Sequence, residues 1–244
     1  MRKVLGSCAA AMVWSMLLVG TAASSNAALQ TASGATDASA NKTAKLAVMT
    51  AADLGAGWTQ YRKAGGVQKF PKNDCALMAG SPVKASDKGY AGPMYSDATK
   101  DTFAYSTAVV FRSEAEAKAY TALLATPAYQ NCRVAKDDAA RKKSDPTTFV
   151  KLYETTTSAV PARPGLEAYY SETEGSKNTD GTDAPAAEYL RFTFRHGRVV
   201  YGLKIDTTLP ASDDASVAAW SDRIDTVVRD STNAIEARLT AAGV

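Results

Sequence analysis

With 244 residues, 45% hydrophobic and 22% charged, the chain holds enough apolar material for one sizeable core, which excludes a wholly disordered or fibrous protein. The formal charge is only +3, from 28 basic against 25 acidic residues, and this excludes the dense positive surface of a general nucleic-acid binder. One histidine and three cysteines leave little material for a zinc site.

At the N-terminus, Arg2 and Lys3 precede an apolar run from Val4 to Gly20, and small residues follow as far as Ala27. This is the layout of a secretory signal, with Ser25 and Ala27 as the small residues before the cut and Thr21 with Ala23 as a second candidate pair. Residues 1–27 are therefore read as a cleaved signal peptide, and the mature protein is expected to be secreted, in the extracellular space or the cell envelope. A retained anchor is the alternative, since the run approaches the roughly 20 residues that cross a bilayer, but no basic stop-transfer cluster follows. A lipoprotein signal at Leu5-Gly6-Ser7-Cys8 fails on position, because the apolar core lies after Cys8. No stable membrane anchor is expected after cleavage. Loss of Arg2 and Lys3 with the signal leaves the mature chain close to neutral.

Residues 28–45 are small and polar and bury almost nothing, so they read as a disordered Ala/Ser/Thr-rich tether. From residue 46 to 244 apolar patterning persists without a second low-complexity break, which gives one domain. A first strand is expected near 58–63 and a second at 101–111. Ser113 and Glu116 form a capping box ahead of Ala117, Tyr120, Leu123 and Leu124, so a helix runs over 113–125. Thr126 and Pro127 suit the cap and first turn of a second helix, from Ala128 to about Lys142, which carries Cys132. Strands follow at 148–157 and 166–173.

The sharpest signal is at 186–206. Leu190, Phe192 and Phe194 alternate with Tyr189, Arg191, Thr193 and Arg195; His196-Gly197 turns the chain, and Val199, Tyr201, Leu203 and Ile205 alternate again. Such a pattern means an antiparallel hairpin with one buried face. Capped by Asp213 or Asp214, a final helix carries Val217, Trp220, Ile224, Val227, Ile235 and Leu239 at three- or four-residue spacing. The expected fold class is α+β, a mostly antiparallel sheet covered by helices.

Without Cys8 the mature chain keeps Cys75 and Cys132, and in an oxidising compartment a disulfide between them is the simplest reading. Two free thiols, or half of a metal site, are the alternatives. The catalytic search is mostly negative: no nucleophile elbow, no His-Glu-x-x-His pair and no phosphate loop occur. His196 sits in the expected turn and reads as a solvated loop residue rather than a general base. Ser176 to Gly181 places oxygen side chains at alternate positions as calcium loops do, but it lacks the first acidic residue, and its twelfth position is Ala187. A polar excursion between strands is the preferred meaning, so no metal and no cofactor are expected. The remaining candidates for ligand binding are Tyr169, Tyr170, Tyr189 and Tyr201, with Arg191 or Arg195 as polar anchors in a groove. Tyrosine also suits any half-buried sheet surface. Trp58 and Trp220 read as core anchors.

Several segments together carry a family resemblance: Asp53-Leu54-Gly55-Ala56-Gly57-Trp58, Cys75, Val110-Phe111-Arg112-Ser113 with Ala115 and Ala117, Tyr129-Gln130-Asn131-Cys132, and Gly197-Arg198-Val199-Val200-Tyr201. In their order and spacing they resemble the actinobacterial PknH-type extracellular sensor domains, which also occur as free secreted proteins and lipoproteins. The resemblance spans roughly residues 46 to 242. It implies a twisted antiparallel sheet with flanking helices, a groove for an external ligand, and no catalysis. Two departures stand out, a single disulfide where more than one is expected and Tyr129 where a tryptophan is expected. No kinase domain is attached, so direct signalling across a membrane by this chain is not expected. The resulting expectation is a secreted, non-enzymatic domain that binds an extracellular or envelope-derived small ligand or a partner protein. A hydrolase with carboxylates from separate strands is one alternative; a structural or inhibitory protein acting through a flat surface is another.

Overall fold

Alternation of apolar and polar residues builds the sheet, and helices cover it where the apolar parity demands. The computed structural model describes residues 37–69, 75, 88–124, 126–144, 148–156, 168–178, 187–208 and 214–244, all within one unit spanning Ala32–Val244. In chain order these residues form α1 (Asp37–Leu46), α2 (Ala51–Leu54), β1 (Thr59–Arg62), β2 (Gly66–Lys69), β3 (Lys88–Ser96) and β4 (Thr102–Val110). There follow α3 (Glu114–Leu124), α4 (Pro127–Ser144), β5 (Thr148–Thr156), β6 (Ala168–Asn178), β7 (Ala187–His196), β8 (Val199–Thr208) and α5 (Asp214–Ala241).

The strands make one antiparallel sheet in the order β1, β3, β4, β8, β7, β6, β5, with β2 also paired to β3. The fold is α+β, as the sequence implies. The expected hairpin is present as β7 and β8, paired from Ala187↔Thr208 to His196↔Val199. Its turn lies one residue later than expected, at Gly197-Arg198, and Gly197 takes a φ of 52°, which a side chain would strain. On its other edge β8 pairs with β4, from Val110↔Val199 to Thr102↔Thr207. The sequence gives no sign of β2 or β3. Gly89, Gly92 and Pro93 interrupt the alternation of β3, and its register with β4 shifts between Ala91 and Met94.

One face of β4, β8 and β7 packs against α1 and α5. Ala104, Ala108, Val199, Tyr201, Leu203, Ile205, Leu190 and Phe194 meet Ala44, Ala47, Met49, Ile224, Val227, Val228, Ile235 and Leu239 there. Each large aliphatic group withdrawn from water in this way contributes about 1.5–3 kcal/mol. Ile224, Val227, Ile235 and Leu239 fulfil the stripe expected of the last helix, whereas Val217 lies 43% exposed. Backbone approach is close where the chain leaves α1: a Cβ on Gly92 would stand 3.0 Å from the Val48 Cβ, and Met49 N donates to Ser106 Oγ at 2.7 Å.

That packing corrects the tether. Residues 37–45 are helical, and Ala44 within them is fully buried. Small side chains bury little each, but they let a helix lie against Ala104 and Ala108 without a gap, so a segment that looks unable to fold by itself is ordered by its neighbours. Residues 1–36, which include the expected signal and the rest of the expected tether, lie outside the described residues. Among the described residues no helix is long and apolar enough to cross a membrane.

The opposite face carries α3 and α4. The expected capping groups are in place: Glu116 N donates to Ser113 Oγ at 3.2 Å, Arg112 N donates to Glu116 Oε2 at 3.3 Å, and Tyr129 N donates to Thr126 Oγ1 at 3.3 Å. Cys75 and Cys132 are joined in a disulfide with their Cα atoms 5.7 Å apart, which ties the chain before β3 to α4.

Candidate functional site

Register decides what faces α3 and α4. Across β4, β8 and β7 the rows on this face read Tyr105, Lys204, Arg191; then Thr107, Gly202, Thr193; then Val109, Val200, Arg195. The middle row is low, because Gly202 has no side chain and threonines flank it. A Cβ placed on Gly202 would find its nearest neighbours at 3.6 Å, on Thr107 Oγ1, and at 3.7 Å, on the Phe192 carbonyl oxygen. Above this row the helices do not close down on the sheet, and a cavity of about 240 Å³ remains.

Tyr120 from α3 and Tyr129 and Arg133 from α4 line the cavity opposite Thr107, Arg191, Thr193, Gly202 and Lys204, with Gln68 and Gly89 at the side. Both tyrosines are buttressed from behind. Tyr120 lies against Phe111, ring centroids 5.2 Å apart, and Tyr129 packs with Cys75 and Leu124, so the disulfide stands directly behind it. On the strand side Lys204 Nζ lies 5.3 Å from the centre of the Tyr105 ring, within reach of a cation–π attraction. The result is a preformed recess with aromatic walls, hydroxyls on its floor and cationic side chains on two sides.

No family model matches the chain, and no curated protein does either. Similar solved structures do exist. The extracellular domain of PknH from Mycobacterium tuberculosis is 13% identical, with 78% of this chain and 97% of that one covered and a TM-score of 0.35. The cyanobacterial PsbP protein, CyanoP, from Synechocystis is 10% identical, covering 76% and 91% at a TM-score of 0.36. An uncharacterized protein from Mycobacterium smegmatis is 9% identical, covering 77% and 95% at 0.36. The likeness is one of fold.

Of the residues expected to bind ligand, Arg191 lines the cavity. Tyr201 does not. It is fully buried on the other face, stacked on Phe194 with centroids 5.2 Å apart, and its hydroxyl donates to Glu236 Oε1 at 2.6 Å. Its parity with Val199, Leu203 and Ile205 puts it in the core, where burial of a tyrosine needs a partner for the hydroxyl and Glu236 supplies one. Tyr169 and Tyr170 pair across from Phe194 and Thr193, and Tyr189 from Asp206 and Glu174, so all three hold positions in the ladder beside the site. Arg195 is buried at the hairpin end, donating to the Gly197 carbonyl at 3.3 Å.

His196 is also corrected. Far from being a solvated loop residue, it is largely buried at the end of β7, with Nδ1 2.5 Å from Glu236 Oε2 and Nε2 2.9 Å from the Val244 carbonyl oxygen. Both nitrogens are engaged in joining the hairpin to α5, so the ring is held as a structural link. The calcium-like stretch is divided: Ser176, Lys177 and Asn178 are the end of β6, paired with β5, and Thr179 to Gly181 lie outside the described residues. Trp58 and Trp220 are partly buried against the core as expected, Trp220 donating through Nε1 to Thr207 Oγ1 at 3.2 Å.

Two other polar clusters are structural. Arg238 forks onto Asp53 at 2.7 and 2.9 Å and donates to the carbonyl oxygens of Leu46 and Val48 at 3.0 and 2.9 Å, fastening α1 and α2 to α5. Asp97 accepts from Arg223 Nη2 at 2.7 Å, Thr99 Oγ1 at 3.0 Å and the backbone N–H groups of Asp101 and Thr102. Burial alone would raise its pKa, but these bonds together hold it below the ordinary aspartate value.

Sequence reasoning missed Thr107, Gly202 and Lys204 on the strands and Tyr120, Tyr129 and Arg133 on the helices. A signal existed for the strand residues, since Gly202 and Lys204 fall on the polar parity of the hairpin, shared with Arg191 and Thr193. Nothing in a helix sequence says that its tyrosines stop short of the sheet.

Proposed function

We propose that the domain acts outside the cytoplasm as a non-enzymatic, sensor-like binding module that takes a small molecule into the cavity between the sheet and α3 and α4. The observation that carries this reading is the recess above Gly202, walled by two buttressed tyrosines. An ordinary core position would be filled, since interiors pack to crystal density and a void forfeits contacts. A cavity of about 240 Å³ suits a small metabolite rather than a polymer. The Cys75–Cys132 disulfide supports an oxidising compartment, and the sequence resemblance to PknH-type sensor domains supports a ligand-holding role.

The carboxylate hydrolase asks for two facing acidic groups, and none of the described lining residues is acidic. A flat-surface protein asks for a contiguous apolar patch. The large exposed apolar residues described are Tyr61, Val67 and Val217, on three different elements. Both features favour the binding module.

Native mass spectrometry of the protein purified from its own culture fluid tests the proposal. A small molecule that travels with the protein and is absent from a Gly202→Trp variant is the expected result. Bare wild-type protein that turns over a hydrolysable substrate would refute it.

A further inference from the structure

Resting on the binding reading, we infer that the cavity selects a small organic anion, its carboxylate or phosphate held by Arg133, Arg191 and Lys204 and its body set against Tyr120 and Tyr129. Three cationic side chains from three elements line a space of about 240 Å³, and no described lining residue is acidic. Arg191 and Lys204 are direct cross-strand partners. On its other side Arg191 pairs across from Glu172 of β6, so along this row it stands between a cation and an anion. Each of the three cations also has a partner among its neighbours in the protein.

The remaining chemistry agrees. Tyr129 and Arg133 are one helical turn apart, so a single face of α4 delivers an aromatic wall and a guanidinium together. The disulfide at the adjacent Cys132 pins that face to the chain before β3. Arginine's planar fork matches the paired oxygens of a carboxylate or phosphate, and lysine adds a point charge. Thr107 and Thr193 bring hydroxyls that can donate to the same oxygens. A cationic ligand would meet Arg133, Arg191 and Lys204 with like charge, and an anion would meet them with opposite charge.

Four one-ring probes of similar size test this on the exported protein by titration calorimetry: benzoate, phenyl phosphate, benzamide and benzamidinium. Benzoate or phenyl phosphate is expected to bind at least about tenfold more tightly than the other two, the loss of one charged hydrogen bond being of that order. The tighter of the two names the head group. Anion affinity should fall as salt rises and drop about tenfold in Arg191→Gln and in Lys204→Met, with Arg191→Lys recovering part of it. Unchanged near-ultraviolet circular dichroism shows that the variants remain folded. Benzamide or benzamidinium binding as tightly as both anions, or no heat from any probe, overturns the anion inference. A neutral molecule that co-purifies with wild type and is expelled by Gly202→Trp would do so too while leaving the binding reading intact, whereas wild type that carries no molecule and answers no probe removes both.

Discussion

The two faces of β4, β8 and β7 are built from the same strands and behave as different materials. On the α5 face every strand position is filled: Tyr201 stacks on Phe194 and hands its hydroxyl to Glu236, His196 bridges the hairpin to the last helix, and Arg238 locks Asp53 and two carbonyl oxygens. On the α4 face the middle row is Thr107, Gly202 and Thr193, and a recess stays open above it. On the first face Tyr201, His196 and Arg238 are tied to acidic groups; on the second Thr107, Thr193, Arg191 and Lys204 line the cavity. The difference teaches that one sheet carries a filled core on one side and an open recess, braced by the disulfide, on the other.

Ways to break that division follow in order of size. Opening the disulfide should cost most. A closed loop of 57 residues' separation corresponds to about 4 kcal/mol in the chain-entropy picture, so Cys75→Ser and Cys132→Ser should lower the urea-unfolding free energy by similar amounts. Hydrogen exchange should rise first in α4 and leave α5 protected; an equal rise in both helices would erase the distinction between the faces. Next comes Arg238→Ala, which leaves the Asp53 carboxylate, 5% exposed, without its fork. A loss of about 3 kcal/mol is expected in urea unfolding, with ligand affinity unchanged because the cavity lies on the other side.

A smaller effect is expected from Asp97, and it depends on pH. Because its folded pKa lies below the ordinary value, its contribution is complete above about pH 4 and is lost as pH falls through the depressed folded value. Asp97→Asn should therefore cost about 1–2 kcal/mol at neutral pH, with the gap to wild type closing in urea titrations run toward pH 3. The smallest effect has the opposite sign. A methyl group on Gly202 meets only ordinary contacts at 3.6 and 3.7 Å, so Gly202→Ala should raise stability by about 0.5–1 kcal/mol. It should weaken ligand binding at the same time, and thermal unfolding beside titration calorimetry reads both.

Much of the architecture is legible in the chain wherever a pattern repeats. The β7–β8 hairpin, α3 with its Ser113 and Glu116 box, α4 after Thr126-Pro127, and the Ile224-to-Leu239 stripe all combine period with punctuation. β3 escapes because two glycines and a proline break its alternation, and α1 escapes because alanine buries too little surface to announce a core face. The same alternation that revealed the hairpin already set Tyr201 apart from Arg191, so reading parity strictly would have kept that tyrosine out of the binding set. His196 was misjudged because a turn neighbour says nothing about a helix 40 residues away.

By itself the sequence determined the class of fold, the hairpin at its centre and which hairpin residues share a face, because these depend on local period and on turn chemistry within a few residues. The tertiary structure alone decided that Ala44 is core, that His196 and Tyr201 meet one carboxylate, and that Arg133 stands opposite Arg191 and Lys204. Those outcomes rest on contacts between residues far apart in the chain, and the room left between a helix and a sheet is a sum over all of them.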